Sequence, residues 1–316
     1  VNAIETEGLT KTFDERIAVE DLTLSVPQGC VFGFLGPSGA GKTTTVRLLA
    51  TLLAPTSGAA FVNGYRVGVD NIAIRRTMGI LTETPGLYDR LSAFENLLFF
   101  AELHELDRRK AETQIEHYLR VMDLWKRRDE AVGSLSKGMR QKLTIAGALL
   151  HDPAVVFLDE PTANLDPEAA RTVRYFINEL RDAGRTVFMT TNNLAEVDQL
   201  CDLICVFRKR LLRVGTPKRL RQEVFGKSVK VSFIERARRW LAAVQEFPFV
   251  HHVEAQGTSL IITLDEPERH NPLLLHTLIS KGAQISYVEP VQASLEDVYL
   301  KLVGEEHVPA HFEAVN

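Results

Sequence analysis

Gly36 and Gly41 are spaced as a GxxxxGK[ST] loop requires, and Lys42 and Thr43 follow directly. Such a loop binds phosphate. Its glycines let successive backbone N–H groups curl around phosphate oxygens without Cβ clashes. Lys42 has the reach for the β- and γ-phosphates, and the Thr43 hydroxyl can hold Mg²⁺. Pro37, Ser38, Gly39, Ala40 and Thr44 complete the cradle, and a helix starting near Lys42 would add the positive end of its dipole. A second element, AVVFLDEP, ends an apolar run in Asp159 and Glu160. Asp159 is placed to approach the Mg²⁺ shell, and Glu160 to meet a water attacking the γ-phosphate. Alone, two acids after an apolar run also describe a helix cap. Downstream of a phosphate loop they read as hydrolytic machinery.

These groups need elements to position them. VFGFLG (31–36), AVVFLDE (154–160) and RTVFMTT (185–191) read as buried parallel strands. Residues 57–67 alternate around Asn63-Gly64, a hairpin signal. Residues from about 84 to 150 are mostly helical in pattern, with apolar residues every three to four positions. Past Pro217 the order becomes strand–helix–strand–strand–helix–strand, a ferredoxin-like split βαβ pattern. The expected organisation is a domain at 1–217 with a helical subdomain at about 84–150, an accessory α+β domain at 218–305, and a tail at 306–316.

Composition narrows the functions. The 316 residues are 45% hydrophobic and 25% charged, ordinary for a soluble globular chain of about two domains. No apolar run approaches the roughly 18 residues of a membrane span, and the first ten residues lack the basic start and apolar core of a signal peptide. Any membrane role is therefore expected through a partner. A net charge of −4 argues against a nucleic-acid surface. Basic runs such as Lys126-Arg127-Arg128 read as solvated faces. Cys201 and Cys205 read as small buried residues, and His251, His252 and His270 as surface residues.

Between the phosphate loop and Asp159 lies GSLSKGMRQKLTIAGALLHDP. Leu135-Ser136-Lys137-Gly138-Met139 resembles the signature of ATP-binding cassette (ABC) ATPases, usually LSGGQ, and the sequence onward to ANLDP follows that family closely. The resemblance covers Ile4 to about Pro217. It extends more loosely through SLEDVYLKLVG, which is similar to the C-terminal extension of the drug- and antibiotic-export subfamily. It implies an α/β P-loop NTPase core with an antiparallel β subdomain and a helical subdomain, followed by the ferredoxin-like domain. It also implies ATP and Mg²⁺ as cofactors. Phe13, with Val19 beside it, corresponds to the aromatic that stacks on adenine, although a lone Phe is more often core. Ser136 and Gly138 would contact the γ-phosphate held by a second cassette, and Asp166 would communicate across that dimer interface.

Four residues depart from the commonest family pattern. Lys137 and Met139 replace a Gly and a Gln but leave the Ser and second Gly in place, which fits the drug-export branch. Glu83 stands where many members have Gln, placed to touch Mg²⁺ or the lytic water; the segment 84–94 after it would receive a helix of a membrane subunit. Asn192, in MTTNN, stands where the family has a His that contacts the γ-phosphate. Asn donates a hydrogen bond but carries no charge and shuttles no proton. Losing one transition-state contact of this kind costs about 2.7–4 kcal/mol, or roughly 10²–10³ in rate. Three readings stand open: Glu160 suffices with Asn192 positioning water; the chain is a slow, regulatory half; or Asn192 only caps the next helix.

The expected function is the ATP-binding and hydrolysing subunit of an ABC-type exporter. It would lie at the cytoplasmic face of the membrane, with a second ABC subunit and integral membrane permease subunits as partners. The alternatives are a slow regulatory subunit or a non-transport ABC clamp. A single set of motifs, roughly 90 residues from phosphate loop to signature, and the acidic balance favour transport.

Overall fold

The computed structural model describes residues 1–82, 86–291 and 294–305, so Glu83 lies outside the described residues. The chain divides into two compact units, Val1–Thr216 and Pro217–Asn316. In chain order the first contains β1 (Asn2–Phe13), β2 (Arg16–Pro27), β3 (Val31–Leu35), α1 (Lys42–Leu49), β4 (Ser57–Val62), β5 (Tyr65–Arg66), α2 (Asn71–Thr77), β6 (Met78–Leu81), α3 (Ala93–Leu103), α4 (Arg108–Val121) and α5 (Lys137–Leu149). It continues with β7 (Val155–Asp159), α6 (Pro167–Asp182), β8 (Thr186–Thr191), α7 (Leu194–Leu200), β9 (Leu203–Arg208) and β10 (Arg210–Gly215).

Two sheets organise this unit: an antiparallel one in the order β2-β1-β4-β5, and a six-stranded one in the order β10-β9-β3-β8-β7-β6. In the larger sheet β9, β3, β8, β7 and β6 run parallel, with β10 antiparallel at one edge. Every residue of β3, β7 and β8 is buried, which explains their unbroken apolar runs: a strand covered on both faces has no solvent side to mark with polar residues. Phe32, Phe34, Phe157, Phe188 and Phe207 pack in one aromatic cluster, Phe34 and Phe207 with centroids 4.6 Å apart. Asn63 adopts φ +52° between β4 and β5, the left-handed turn its Asn-Gly pair predicts.

Helices α3, α4 and α5 form the helical part. Ser92 and Glu95 start α3 as a capping box. Asn96, fully buried in its first turns, accepts from the Tyr88 N–H at 2.8 Å and donates to the carbonyls of Tyr88, Leu91 and Ser92. One amide side chain thereby fixes the loop before the helix. At the far ends of α3 and α5, His104 and His151 stack with ring centroids 3.7 Å apart and planes within 4°. His151 Nε2 donates to the Met78 carbonyl of β6 at 2.8 Å, and its buried Nδ1 has no partner among the described residues.

The second unit contains α8 (Pro217–Phe225), β11 (Ser228–Phe233), α9 (Leu241–Gln245), β12 (Val250–Gln256), β13 (Ser259–Leu264), α10 (Pro267–Ser280), β14 (Ile285–Val291) and α11 (Leu295–Glu305). Its sheet has the order β12-β13-β11-β14 with every neighbouring pair antiparallel, the split βαβ arrangement. Val231, Phe233, Trp240, Ile262, Leu274 and Leu278 fill its core. Two helices join the four-strand pattern, α8 and α11, linked where Lys301 Nζ donates to the Val224 carbonyl at 2.8 Å.

The stacked histidines make the helical part pH-sensitive. Burial, with the neighbouring His104 charge second, pushes His151 down to about 4 from an ordinary 6.5. The folded protein thus holds a neutral imidazole that the unfolded chain protonates more readily. Its stabilisation is complete above pH 6.5 and falls away toward about pH 4. Thermal unfolding should show a melting temperature that declines over this window, with a shallower decline in His151→Gln. Parallel declines in the two proteins would show that this group does not set the slope.

Candidate functional site

The phosphate loop leaves the carboxyl end of β3, between β9 and β8, and runs into α1. Gly41, the residue before α1, has φ +104°, and a Cβ there would come within 2.1 Å of the Ala18 carbonyl oxygen. Both strain and space demand glycine. No side chain among the described residues caps α1, so its first-turn N–H groups remain available to an anion. Lys42 is only 6% exposed, and its Nζ donates to the carbonyls of Gly36 at 2.8 Å and Pro37 at 3.2 Å. Desolvation lowers its pKa, opposed by the charges of Glu160 and Asp159. The ammonium is held nearly dry on neutral carbonyls, where a phosphate would be a stronger partner.

A cleft of about 480 Å³ opens over this loop, with Ser38, Gly39, Gly41, Lys42, Thr43 and Thr44 along it and Phe13, Arg16, Ala18 and Glu160 completing its lining. Phe13 ends β1 and is 42% exposed, so its ring is available for stacking. Val19 is not: it is fully buried in the core. Successive residues of β2 face opposite ways, and Ala18 is the one that lines the cleft. Gly36, Pro37 and Ala40 also lie off the lining; the first two lend carbonyls to Lys42, and the Ala40 N–H donates to Pro37. Arg16 and Ala18 are cleft residues that sequence reasoning did not single out.

Asp159, 4% exposed, ends β7 opposite Thr190 of β8. The Thr190 hydroxyl donates to the Asp159 carboxylate and accepts the Glu160 N–H at 3.1 Å; the same N–H also reaches the Thr190 carbonyl at 3.1 Å. One fully buried threonine therefore orients the Asp159 carboxylate and fixes the backbone of Glu160. Glu160 takes φ +48° as the chain leaves the strand, and its carboxylate makes no hydrogen bond to a described residue. A half-buried, unengaged carboxylate beside a phosphate loop can act as a general base.

Thr191 ends β8 opposite Leu35, the residue before Gly36. Asn192 follows, exposed, with no hydrogen bond from its side chain to a described residue. The cap reading fails for it: Asn193 is the residue that caps α7, accepting the Glu196 N–H at 3.3 Å. Asn192 is left free at the strand end, next in line after the pairing that sets the phosphate loop.

Ser136, Gly138 and Asp166 form a second cluster that contributes nothing to the lining of the cleft. Ser136 caps α5 by accepting the Met139 N–H at 3.2 Å, and Asp166 caps α6 by accepting from Glu168 and Ala169. Gly138 is buried where the two helix starts meet: a Cβ would lie 3.2 Å from Ala169 Cβ and 3.6 Å from Asp166 Oδ2. Gln141 of α5 donates to the Pro161 carbonyl at 3.3 Å, tying this cluster to the residue after Glu160.

A family model described as ABC transporter matches residues 19–163, and one described as ATP-binding protein DrrA1-3-like, C-terminal domain, matches residues 215–303. The chain is 34% identical over 308 residues to the daunorubicin/doxorubicin resistance ATP-binding protein DrrA of Streptomyces peucetius, covering 96% of this chain and 92% of that protein. It is 33% identical over 305 residues to the Nod factor export ATP-binding protein I of Rhizobium sp. (strain N33), covering 96% and 98%. Among solved structures, it is similar to an ATP-binding subunit of an ABC transporter, with 31% identity, a TM-score of 0.65, and coverage of 70% of this chain and 92% of the other. It is also similar to cbiO1 from Clostridium perfringens, part of the ABC transporter complex cbiONQ, with 25% identity, a TM-score of 0.63, and coverage of 69% and 90%.

Thr190→Val keeps the side-chain shape and removes the hydroxyl from a buried carboxylate. It should cost about 1–3 kcal/mol of unfolding free energy, measured by urea denaturation, while Thr190→Ser retains most of the stability. Equal losses in the two variants would assign the effect to packing of the methyl group.

Proposed function

The chain belongs to the ABC transporter ATP-binding family, and from that premise we propose that it hydrolyses ATP to power a membrane exporter through ATP-driven closure of a cassette dimer. The observation that carries this reading is the division of the site. Phe13, the phosphate loop and Glu160 line one cleft, whereas Ser136, Gly138 and Asp166 form a separate cluster. A single chain thus holds two halves of different sites, and a second cassette placed head-to-tail would complete each.

In the proposed site, adenine stacks on the exposed face of Phe13. The phosphates take the free N–H groups of the first turn of α1, and Lys42 exchanges its carbonyl partners for phosphate oxygens. Glu160 accepts a proton from the attacking water as the bond to the terminal phosphate breaks, leaving ADP and inorganic phosphate. Ser136 and Gly138 of the opposing cassette would meet the γ-phosphate at the start of their α5, with Asp166 at the interface.

The donors present suit Mg²⁺, which favours hard oxygen ligands and commonly takes only one or two protein groups besides phosphate. Thr43 and the oriented Asp159 carboxylate would hold it, with Glu83 as a further contact, and it would neutralise charge developing on the phosphates. Asn192, free at the strand end, would donate to the γ-phosphate or its water without supplying charge. That same lack of charge favours one second reading, a slow subunit that works beside a faster cassette.

Among the described residues no helix is long and apolar enough to cross a membrane. Relatives matched over nearly the whole chain are named ATP-binding proteins, and in this proposal the transport path belongs to separate membrane subunits, with this chain on the cytoplasmic face. Relatives named for Nod factor export and for daunorubicin resistance are about equally similar to it, 33% and 34%. That balance supports leaving cargo choice to the membrane subunits.

Glu160→Gln should bind ATP without turning it over. Analytical ultracentrifugation should show this variant passing from monomer to dimer on addition of MgATP, and Ser136→Arg in the same background should hold it monomeric. ATP-bound monomer in both would overturn the homodimeric form of the proposal.

A further inference from the structure

Glu196 is the buried acid that the proposed mechanism does not use. It lies in the first turn of α7, where a glutamate could favour the helix dipole from the surface without being buried. Here its side chain is 1% exposed. Oε2 accepts the Thr162 hydroxyl at 2.8 Å and the Thr191 hydroxyl at 3.4 Å. Oε1 is buried with no hydrogen bond among the described residues, and the Arg174 guanidinium of α6 approaches it only to 4.0 Å. Burial pushes the carboxyl above its ordinary range, opposed by the Thr162 hydroxyl, Arg174 and the Thr191 hydroxyl. A loosely paired, buried carboxylate is a costly device for anchoring a helix of seven residues.

What this carboxylate joins gives the cost a purpose. Thr162 lies two residues beyond Glu160, in a turn closed by the Ala163 N–H donating to the Glu160 carbonyl at 3.1 Å. Thr191 is the residue before Asn192, and its hydroxyl also accepts the Asn193 N–H at 3.0 Å. The two segments are far apart in sequence and meet at one carboxylate oxygen. We infer that Glu196 is a positioning residue that yokes the turn after Glu160 to the strand end bearing Asn192, so that the acid and the amide approach the γ-phosphate as one unit. The inference rests on hydrolysis at Glu160. It also gives a physical reason for an uncharged Asn192 to serve: an amide held in fixed relation to the base needs no charge to find its place.

The test uses Glu196→Ala, Glu196→Gln and Thr162→Val in the full chain. Glu196→Ala and Thr162→Val should each lower kcat about tenfold, the rate equivalent of one charge-assisted hydrogen bond, with the KM for ATP nearly unchanged. Glu196→Gln retains an oxygen for the Thr162 hydroxyl and should keep most of the rate. The double variant Glu196→Ala/Thr162→Val should be no slower than Glu196→Ala. Losses that multiply, or a folded Glu196→Ala with undiminished kcat, would overturn the inference. A second readout needs no turnover: hydrogen exchange in the nucleotide-free protein. Thr162→Val should speed exchange at residues 192–194 as well as at 162–165. Acceleration confined to 162–165 would sink the yoke even if the parent hydrolyses ATP; a parent without turnover would sink only the hydrolysis reading.

Discussion

Two opposite charges, the Lys42 ammonium and the Asp159 carboxylate, are held almost out of water beyond the carboxyl ends of the parallel strands of the six-stranded sheet. Neither is stable there unaided. Lys42 is secured by the carbonyls of Gly36 and Pro37, and Asp159 by the Thr190 hydroxyl. Both arrangements depend on the register of β3, β8 and β7, which sets Leu35 opposite Thr191 and Asp159 opposite Thr190. Every position in those three strands is buried, and a one-residue slip would send these side chains to the wrong face. The aromatic cluster beneath them therefore supports the geometry of the site as well as the stability of the domain.

A second constraint follows from helix starts. The N–H groups at the start of α1 have no side-chain cap among the described residues, while those of α5 and α6 are partly satisfied by Ser136 and Asp166. The uncapped end belongs to the chain's own cleft, and the capped pair is packed together around Gly138. Within one chain, Gln141 links the capped pair to Pro161, and Glu196 links Thr162 to Thr191. Changes at the signature helix and at the end of β8 thus converge on the few residues after Glu160. In the proposed dimer this would be a physical route by which an event at the interface reaches the proposed hydrolytic acid.

Much of the fold was legible because its signals are local. The glycine-lysine spacing of 36–43, the apolar runs of β3, β7 and β8, and the strand–helix order of the C-terminal unit each lie within a short window. What escaped depends on contacts distant in sequence or on exact phase. Val19 was expected beside adenine, but which residue of β2 faces the cleft cannot be counted along a β1–β2 pairing interrupted by register shifts. Thr190 looked like one polar residue among four until its pairing with Asp159 was seen. Asn192 and Asn193 are chemically identical candidates for a helix cap, and only the hydrogen bond to Glu196 assigns the cap to the second. Glu196 gave no signal, since a glutamate in the first turn of a helix is ordinary on a surface.

On the proposed mechanism, a cassette with an uncharged Asn192 still hydrolyses ATP because the Glu160 backbone is fixed by Thr190 and its carboxylate is left unengaged. The most direct measurement is steady-state MgATP turnover by the purified chain, with Glu160→Gln as the blank. Slow turnover clearly above that blank is the result this account predicts. Tight ATP binding with turnover no higher than the blank would contradict it, and would mean that the chain depends on another subunit for its chemistry.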